Sequence, residues 1–405
     1  MNNPVLSIDV SKSKSFAASF LAYEKPLSKP FPFSNSLEGT KVLSDQLNKL
    51  ETQTGIKPEI VLEATGNYSK PITDYFIKAG YNVVVLNPIL THQQKAKSIR
   101  KIKTDPIDVA RIAKVYYLNK HDVYHDVPDD LAELQSLARQ YEGLMQLYTE
   151  TQLRMQSLLD LVFPNYHTVF DHLCGKASLS ILQSYPSPND VLEADRGDLF
   201  KIIKTCALGH SADWCNKAVD RLLAAAGESL PSHKAQQSKT RGLLDYISIL
   251  LPQQRILTNI RAQLITRASL SPAFSLIKSI PGVGEFTAAA ILSEIGDISR
   301  FPTERQLVAF AGLDPSVFQS GKFKSNNNRI SKRGSSYLRK ALYQATIGAI
   351  SKRKNGPANP ILFNFYTKKR SEGKAPKVAI IATSSKLLRI IYGILKTQRP
   401  FSIDR

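Results

Sequence analysis

The chain has 405 residues, 42% of them hydrophobic, enough to bury cores in two or three domains. Its 54 Lys and Arg outweigh 34 Asp and Glu for a formal charge of +20, which points to a polyanion: nucleic acid first, an acidic membrane surface second. Three cysteines without a CxxC pair exclude a disulfide framework and a zinc ribbon and predict a reducing cytoplasm. No run approaches the roughly 18 apolar residues of a membrane span, so a soluble, unprocessed chain is expected.

Residues 1 to about 120 alternate strands with helices. Val5 to Ile8 reads as a short buried strand, Ser15 to Leu21 as a second and Pro30 to Phe33 as a third, before a polar helix from about Leu37 to Leu47. Another strand follows at Glu59 to Leu62. A helix around Ile72 to Ala79 stops at Gly80, and the β-branched run Tyr81 to Leu86 returns to strand. The fold class is α/β around a mixed sheet.

The middle is all helix. From Asp129 to Val162 a three-four rhythm runs through Leu134, Leu137, Tyr141, Leu144, Tyr148, Thr151, Met155, Leu158 and Val162, the seam of a coiled coil or a long hairpin arm. Pro164 ends it. A helical insert at about 165–235 holds all three cysteines and the sole Trp214. A second apolar helix then runs from about Gly242 to Leu270, with a kink expected at Pro252. The seam fits an antiparallel pair within one chain and a dimer interface equally well.

The last segment is where the charge lies. Gly321 to Arg405 holds 20 Lys and Arg against Glu372 and Asp404 alone, so 18 of the 20 net positive charges fall in the final fifth of the chain. Apolar residues at helical spacing, Leu338 to Ile347 and Val378 to Ile391, make this a folded basic helical domain rather than a solvated tail. The division is 1–125, 126–270 and 271–405.

Four carboxylates stand out by position. Asp9 ends the first strand, and Glu63 ends another and runs into the Gly66 turn. Asp105 and Asp108 are one helical turn apart, with Pro106 in the first turn where proline is tolerated. Such a set suits Mg²⁺ (or Mn²⁺), a hard ion that takes carboxylate oxygens and phosphate together in phosphoryl transfer. Any one of these acids alone reads as a surface carboxylate or a helix cap. The histidines are scattered, with no HExxH and no zinc spacing.

In KSIPGVGEF, Gly282 and Gly284 precede a small-residue helix, so their amides are candidates for a backbone phosphate; a structural helical hairpin is the alternative. Ser320 lies in a basic, asparagine-rich loop, and a lone loop serine carries no assignment. Ser335 and Ser336, its rivals, read as N-caps of the next helix. Candidate nucleic-acid contacts are Lys12, Lys322, Lys324, Arg329, Lys332, Arg333, Arg339 and Lys340, joined by basic runs at 352–354 and 368–370.

Asp9 in SIDVSK, Glu63 in LEATGNY, and Asp105 with Asp108 in KTDPIDVA resemble the DEDD motifs of the IS110-family insertion-sequence transposases, relatives of the Piv DNA invertases. Val109 replaces the alanine usual after the last aspartate. The order FAGL-x-P, Ser-Gly, ISK-x-G and LR is similar to their second domain and places Ser320 on its nucleophilic serine. The resemblance implies an N-terminal RuvC-like (RNase H-like) domain whose four acids hold Mg²⁺. It also implies a phosphoserine intermediate, a bridge RNA that chooses donor and target DNA, and a homodimer assembling to a tetramer in a bacterial or archaeal cytoplasm, near the nucleoid. A phosphoserine link would conserve the energy of the phosphodiester. A RuvC-like junction nuclease using water and an architectural nucleic-acid-binding protein are the alternatives.

Overall fold

The computed structural model describes residues 3–12, 14–88, 91, 105–119, 127–315, 319–320, 323–324, 329–354 and 356–402. The chain divides into two compact units, Met1–Val127 and Pro128–Arg405.

In the first unit β1 (Val5–Asp9), β2 (Ser15–Ala22), β3 (Lys25–Pro26), β4 (Phe31–Phe33), β5 (Glu59–Glu63) and β6 (Val83–Leu86) form one mixed sheet. The order is β3-β2-β1-β5-β6, with β4 also on β2; β1 and β2 are antiparallel, and β1, β5 and β6 are parallel. Alternation of side chains across a strand explains why β1 is buried on both faces. Leu6 and Ile8 enter a core with Leu43, Leu47 and Leu50 of α1 (Leu37–Thr54) and with Ile72 and Phe76 of α2 (Ser69–Lys78). Val5 faces the other way, toward Val109, Ile112 and Tyr116 of α3 (Asp105–Leu118). Ser36 caps α1 by accepting from the Gly39 amide, and Gly55 closes it in the left-handed conformation.

In the second unit α4 (Asp129–Val162) and α9 (Gln236–Ser269) lie along each other. Their contacts run in opposite directions. Glu133 meets Arg267 at 3.7 Å, Gln254 Nε2 donates to the Tyr148 hydroxyl at 2.8 Å, and Leu158 packs on Gly242. The seam is therefore closed within the chain, by an antiparallel pair. α9 starts six residues before the expected Gly242 and continues through Pro252, which cannot donate to the carbonyl four residues earlier.

Between the arm helices stand α5 (Lys176–Ser184), α6 (Pro188–Glu193), α7 (Arg196–Cys206) and α8 (Ala212–Glu228), which share a core with the far half of the arm. The remaining helices are α10 (Pro272–Lys278), α11 (Glu285–Ile295), α12 (Glu304–Phe310), α13 (Ser336–Ile350), α14 (Pro360–Ser371) and α15 (Pro376–Thr397). They gather around a core that includes Leu134, Ala138 and Leu264 of the arm.

One expectation is corrected here. α15 is long and apolar enough to cross a membrane, although no such segment was expected. Its apolar residues have another use: Leu387, Leu388, Ile391 and Leu395 are buried in the helical core, and Lys386 and Arg389 interrupt the run.

Candidate active site

Parallel pairing of β1 and β5 sets Ile8 opposite Leu62, so the next residues, Asp9 and Glu63, stand side by side where both strands end. Neighbouring strands lie about 4.8 Å apart, which brings two carboxylates to one sheet edge. Both residues are half-buried. Thr91 Oγ1 donates to Glu63 Oε2 at 2.7 Å and to the Pro88 carbonyl at 2.9 Å. The helix bearing the other two acids is fastened to the same strand, since the buried Ser7 hydroxyl donates to the Val109 carbonyl at 2.8 Å. Asp108, one residue before that anchor, is ion-paired with Arg111. Asp105 begins the helix three residues earlier, and its side chain lies outside the described residues.

All four candidates are carboxylates, the oxygen set that suits a hard divalent ion. Among the described residues no three His, Cys, Asp or Glu side chains gather closely enough to hold a metal: Asp9 and Glu63 end adjacent strands, but Asp108 does not join them in a three-acid cluster, and the side chain of Asp105 lies outside the described residues. Thr91 and Arg111 are the partners that sequence reasoning missed. Arg111 had a signal, three residues beyond Asp108 on a helix; Thr91, 28 residues from Glu63, had none. Lys12 is exposed in the turn after Asp9.

In the second unit Gln319–Ser320 pairs with Phe323–Lys324 in a two-stranded hairpin, Ser320 opposite Phe323. The side chains of Ser320 and Lys324, and Lys322 altogether, lie outside the described residues. The stem of this loop is well defined. Pro315 bridges Ile330, the Ser331 amide donates to the Asp314 carbonyl at 2.8 Å, the Ser331 hydroxyl reaches Asp314 Oδ1 at 2.5 Å, and the Lys332 amide reaches the Gly312 carbonyl at 3.1 Å. Gly312, at φ +64°, and Gly334 let the two sides touch through backbone: a Cβ on Gly334 would lie 2.6 Å from the Gly312 nitrogen and against the Phe310 carbonyl oxygen.

Ser335 is the N-cap of α13, accepting from the Leu338 amide at 3.1 Å, and its hydroxyl donates to Glu294 Oε2 at 2.7 Å. Glu294 is only 2% exposed, and Arg139 of the arm meets it through Nε at 3.1 Å. Removing this carboxylate strands a capping hydroxyl and half an ion pair. Glu294→Ala is expected to cost about 2–4 kcal/mol in chemical denaturation, and Glu294→Gln, which still accepts from Ser335, visibly less.

The basic candidates differ in exposure. Arg339 is half-buried and donates to the Ala311 carbonyl at 2.8 Å, closing the end of α12, and Lys340 is ion-paired with Glu142 of the arm. Arg329, Lys332 and Arg333 are exposed on the stem.

The two hairpin glycines also differ. Gly282, at φ +92°, is packed on α13: a Cβ would lie 2.6 Å from the Ala349 nitrogen and nearer still to its Cα. Gly284 is open and caps α11. The residue after it, Glu285, is paired with Lys278 at 2.5 Å, and that ammonium holds the carboxyl below its usual range. An anion approaching the Gly284 amide therefore meets a carboxylate and a lysine together.

Comparison with known proteins identifies the family. Residues 6–164 match the DEDD transposase model of the IS110 type, described as a transposase, and residues 274–360 match the transposase IS116/IS110/IS902 family. The pilin gene-inverting protein of Moraxella bovis is 24% identical over 402 residues, 99% of this chain and 98% of its own length. An IS110 protein of 43.6 kDa from Streptomyces coelicolor is 25% identical over 73% of this chain and 71% of its own. The transposase of insertion element IS1111A from Coxiella burnetii is 34% identical over 125 residues, 31% of this chain and 33% of its own. DEDD transposases generally use a divalent metal ion. The two matched segments together cover more than half of the sequence, one holding the strand-end acids and the other the serine loop, and the chain belongs to the IS116/IS110/IS902 family of transposases, enzymes of DNA recombination.

Proposed function

We propose that this transposase cuts and rejoins insertion-sequence and target DNA through Ser320, with Asp9, Glu63, Asp105 and Asp108 as the metal-holding acids of a RuvC-like domain. The observation that carries the reading is the pairing of Asp9 and Glu63 at the ends of adjacent parallel strands, with the Asp108 helix fastened to the same strand. Mg²⁺ (or Mn²⁺) bound there would stabilise charge on the phosphate oxygens. Ser320 Oγ forms one P–O bond as the bond to a deoxyribose oxygen breaks; the serine proton passes to solvent, and the sugar oxygen leaves taking a proton from solvent, as a free hydroxyl. The resulting phosphoserine ester keeps the energy needed for rejoining. The tied stem at 312–315 and 330–335 supports this role, because a nucleophile must return to one position in each cycle.

The strand exchanges fit either insertion or, as the name of the Moraxella relative has it, gene inversion. Target choice falls to a bridge RNA in this reading, which suits a basic surface without a defined reading helix. The three-part division at 125 and 270 stands as a working description, and Leu147 and Leu153, exposed on the arm, are candidates for contact with a second copy in a dimer or tetramer. Denaturing electrophoresis of the full chain with labelled insertion-end DNA and Mg²⁺ tests the reading. A covalent adduct should form with the natural sequence and vanish in Ser320→Ala; cleavage that survives Ser320→Ala unchanged would indicate a water-using nuclease instead.

A further inference from the structure

Beside the stem of the serine loop runs an open groove of about 720 Å³, within the size range of ligand sites. Its floor is apolar. Val378, Ile381 and Ile390 come from α15, Phe365 from α14, and Pro315 with Ile330 from the bridged stem. Val378 is 53% exposed, although its neighbours on the helix fill a core.

Its rim is cationic. Lys374, Lys386 and Arg389 line it and, among the described residues, no carboxylate does; Arg389 also meets Glu304, outside the groove, at 3.4 Å. The Lys386 ammonium lies 4.7 Å from the centre of the Phe365 ring and that of Lys369, paired with Glu372, at 5.3 Å. Cation–π contact thus keeps ammonium groups at the edge of an apolar surface.

A peptide helix would need only the floor, and a fully paired duplex, whose bases are stacked inside, would use only the rim. A strand with an exposed base uses both, since apolar and aromatic side chains take the face of the base while cations take the flanking phosphates. The stem places the groove next to the Ser320 loop. We propose that it seats an unpaired nucleotide of the DNA strand that Ser320 attacks. The choice of strand rests on the proposed serine chemistry; the preference for an unpaired base does not.

The test is a binding titration of the full chain carrying Ser320→Ala, so that no link forms. The probes are a labelled 30-base-pair duplex and the same duplex with three unpaired nucleotides. The unpaired probe should bind about tenfold more tightly. Phe365→Ala and Val378→Ser should each bring that ratio toward one while leaving the paired duplex within about twofold, and Lys386→Gln should weaken both probes and lower the salt slope by about one. Equal affinity for the two probes would overturn the proposal. So would a ratio that survives Phe365→Ala and Val378→Ser, a preference confined to an unpaired RNA strand, or a change in sedimentation of Val378→Ser with the ratio intact, which would assign the face to a second copy. Because binding is read without cleavage, failure here leaves the adduct experiment standing, and failure of the adduct experiment leaves the binding ratio standing.

Discussion

Asp9→Asn is expected to reduce strand cleavage and joining by at least about a hundredfold while DNA affinity stays within about twofold. The substitution keeps the size and half-burial of the side chain and removes the one charge that β1 delivers beside Glu63. Loss of outer-shell partners alone typically costs metal sites 10–100-fold, and a ligand should cost more. Glu63→Gln should behave alike. Thr91→Val, which removes the hydroxyl donating to Glu63, should give a smaller loss, about tenfold, that higher Mg²⁺ partly restores. Product assays over a Mg²⁺ series, with circular dichroism as the check on folding, measure this. Full activity in Asp9→Asn would remove the acids from the reaction and leave them as structural ends of strands.

A large stability effect is expected at Gly282. Alanine there would put its Cβ inside the backbone of Ala349 and would also have to hold φ near +92°. Overpacking against main chain cannot be relieved by a rotamer, and the left-handed backbone adds its own strain, for a combined loss of about 3 kcal/mol or more. Gly348 sits across the same contact, where a Cβ would come within 2.5 Å of the Gly282 oxygen. Gly284→Ala, two residues from Gly282 with open space at the Cβ, is the matched control and should cost under about 1 kcal/mol. Chemical denaturation of the three variants decides it. Equal losses at 282 and 284 would mean that the close approach of the hairpin to α13 contributes nothing.

These two glycines also show what the sequence could and could not tell. Both were legible as a turn before a helix, and nothing local separated the one that packs from the one that is open, because the difference is Ala349, 67 residues away. The strand-end acids were legible for the opposite reason: strand periodicity put Asp9 and Glu63 each at the end of its own strand, and the parallel register, which the sequence did not give, sets those two ends side by side. The seam of the arm was visible as a rhythm, but the rhythm is identical for a partner in the same chain or in another copy; the Tyr148–Gln254, Glu133–Arg267 and Leu158–Gly242 contacts choose. Arg339 and Lys340 read as phosphate contacts from charge alone. The structure gives them the Ala311 carbonyl and Glu142, partners that are far away along the chain. Glu294 escaped notice because one acid in a small-residue helix has no pattern, and its partners, Arg139 and Ser335, lie on either side of it in sequence.

The stem of the serine loop has a consequence for how such a chain can diversify. Pro315 and Ile330 are held by main-chain bridging and by two glycines, so the anchorage makes few demands on the residues strung between them. Closure entropy grows only slowly with loop length, so the cost of lengthening the span between these two moorings is expected to be small. On the proposed reading only Ser320 within that span is fixed by chemistry, and the stem on either side of it is held by main chain rather than by particular side chains.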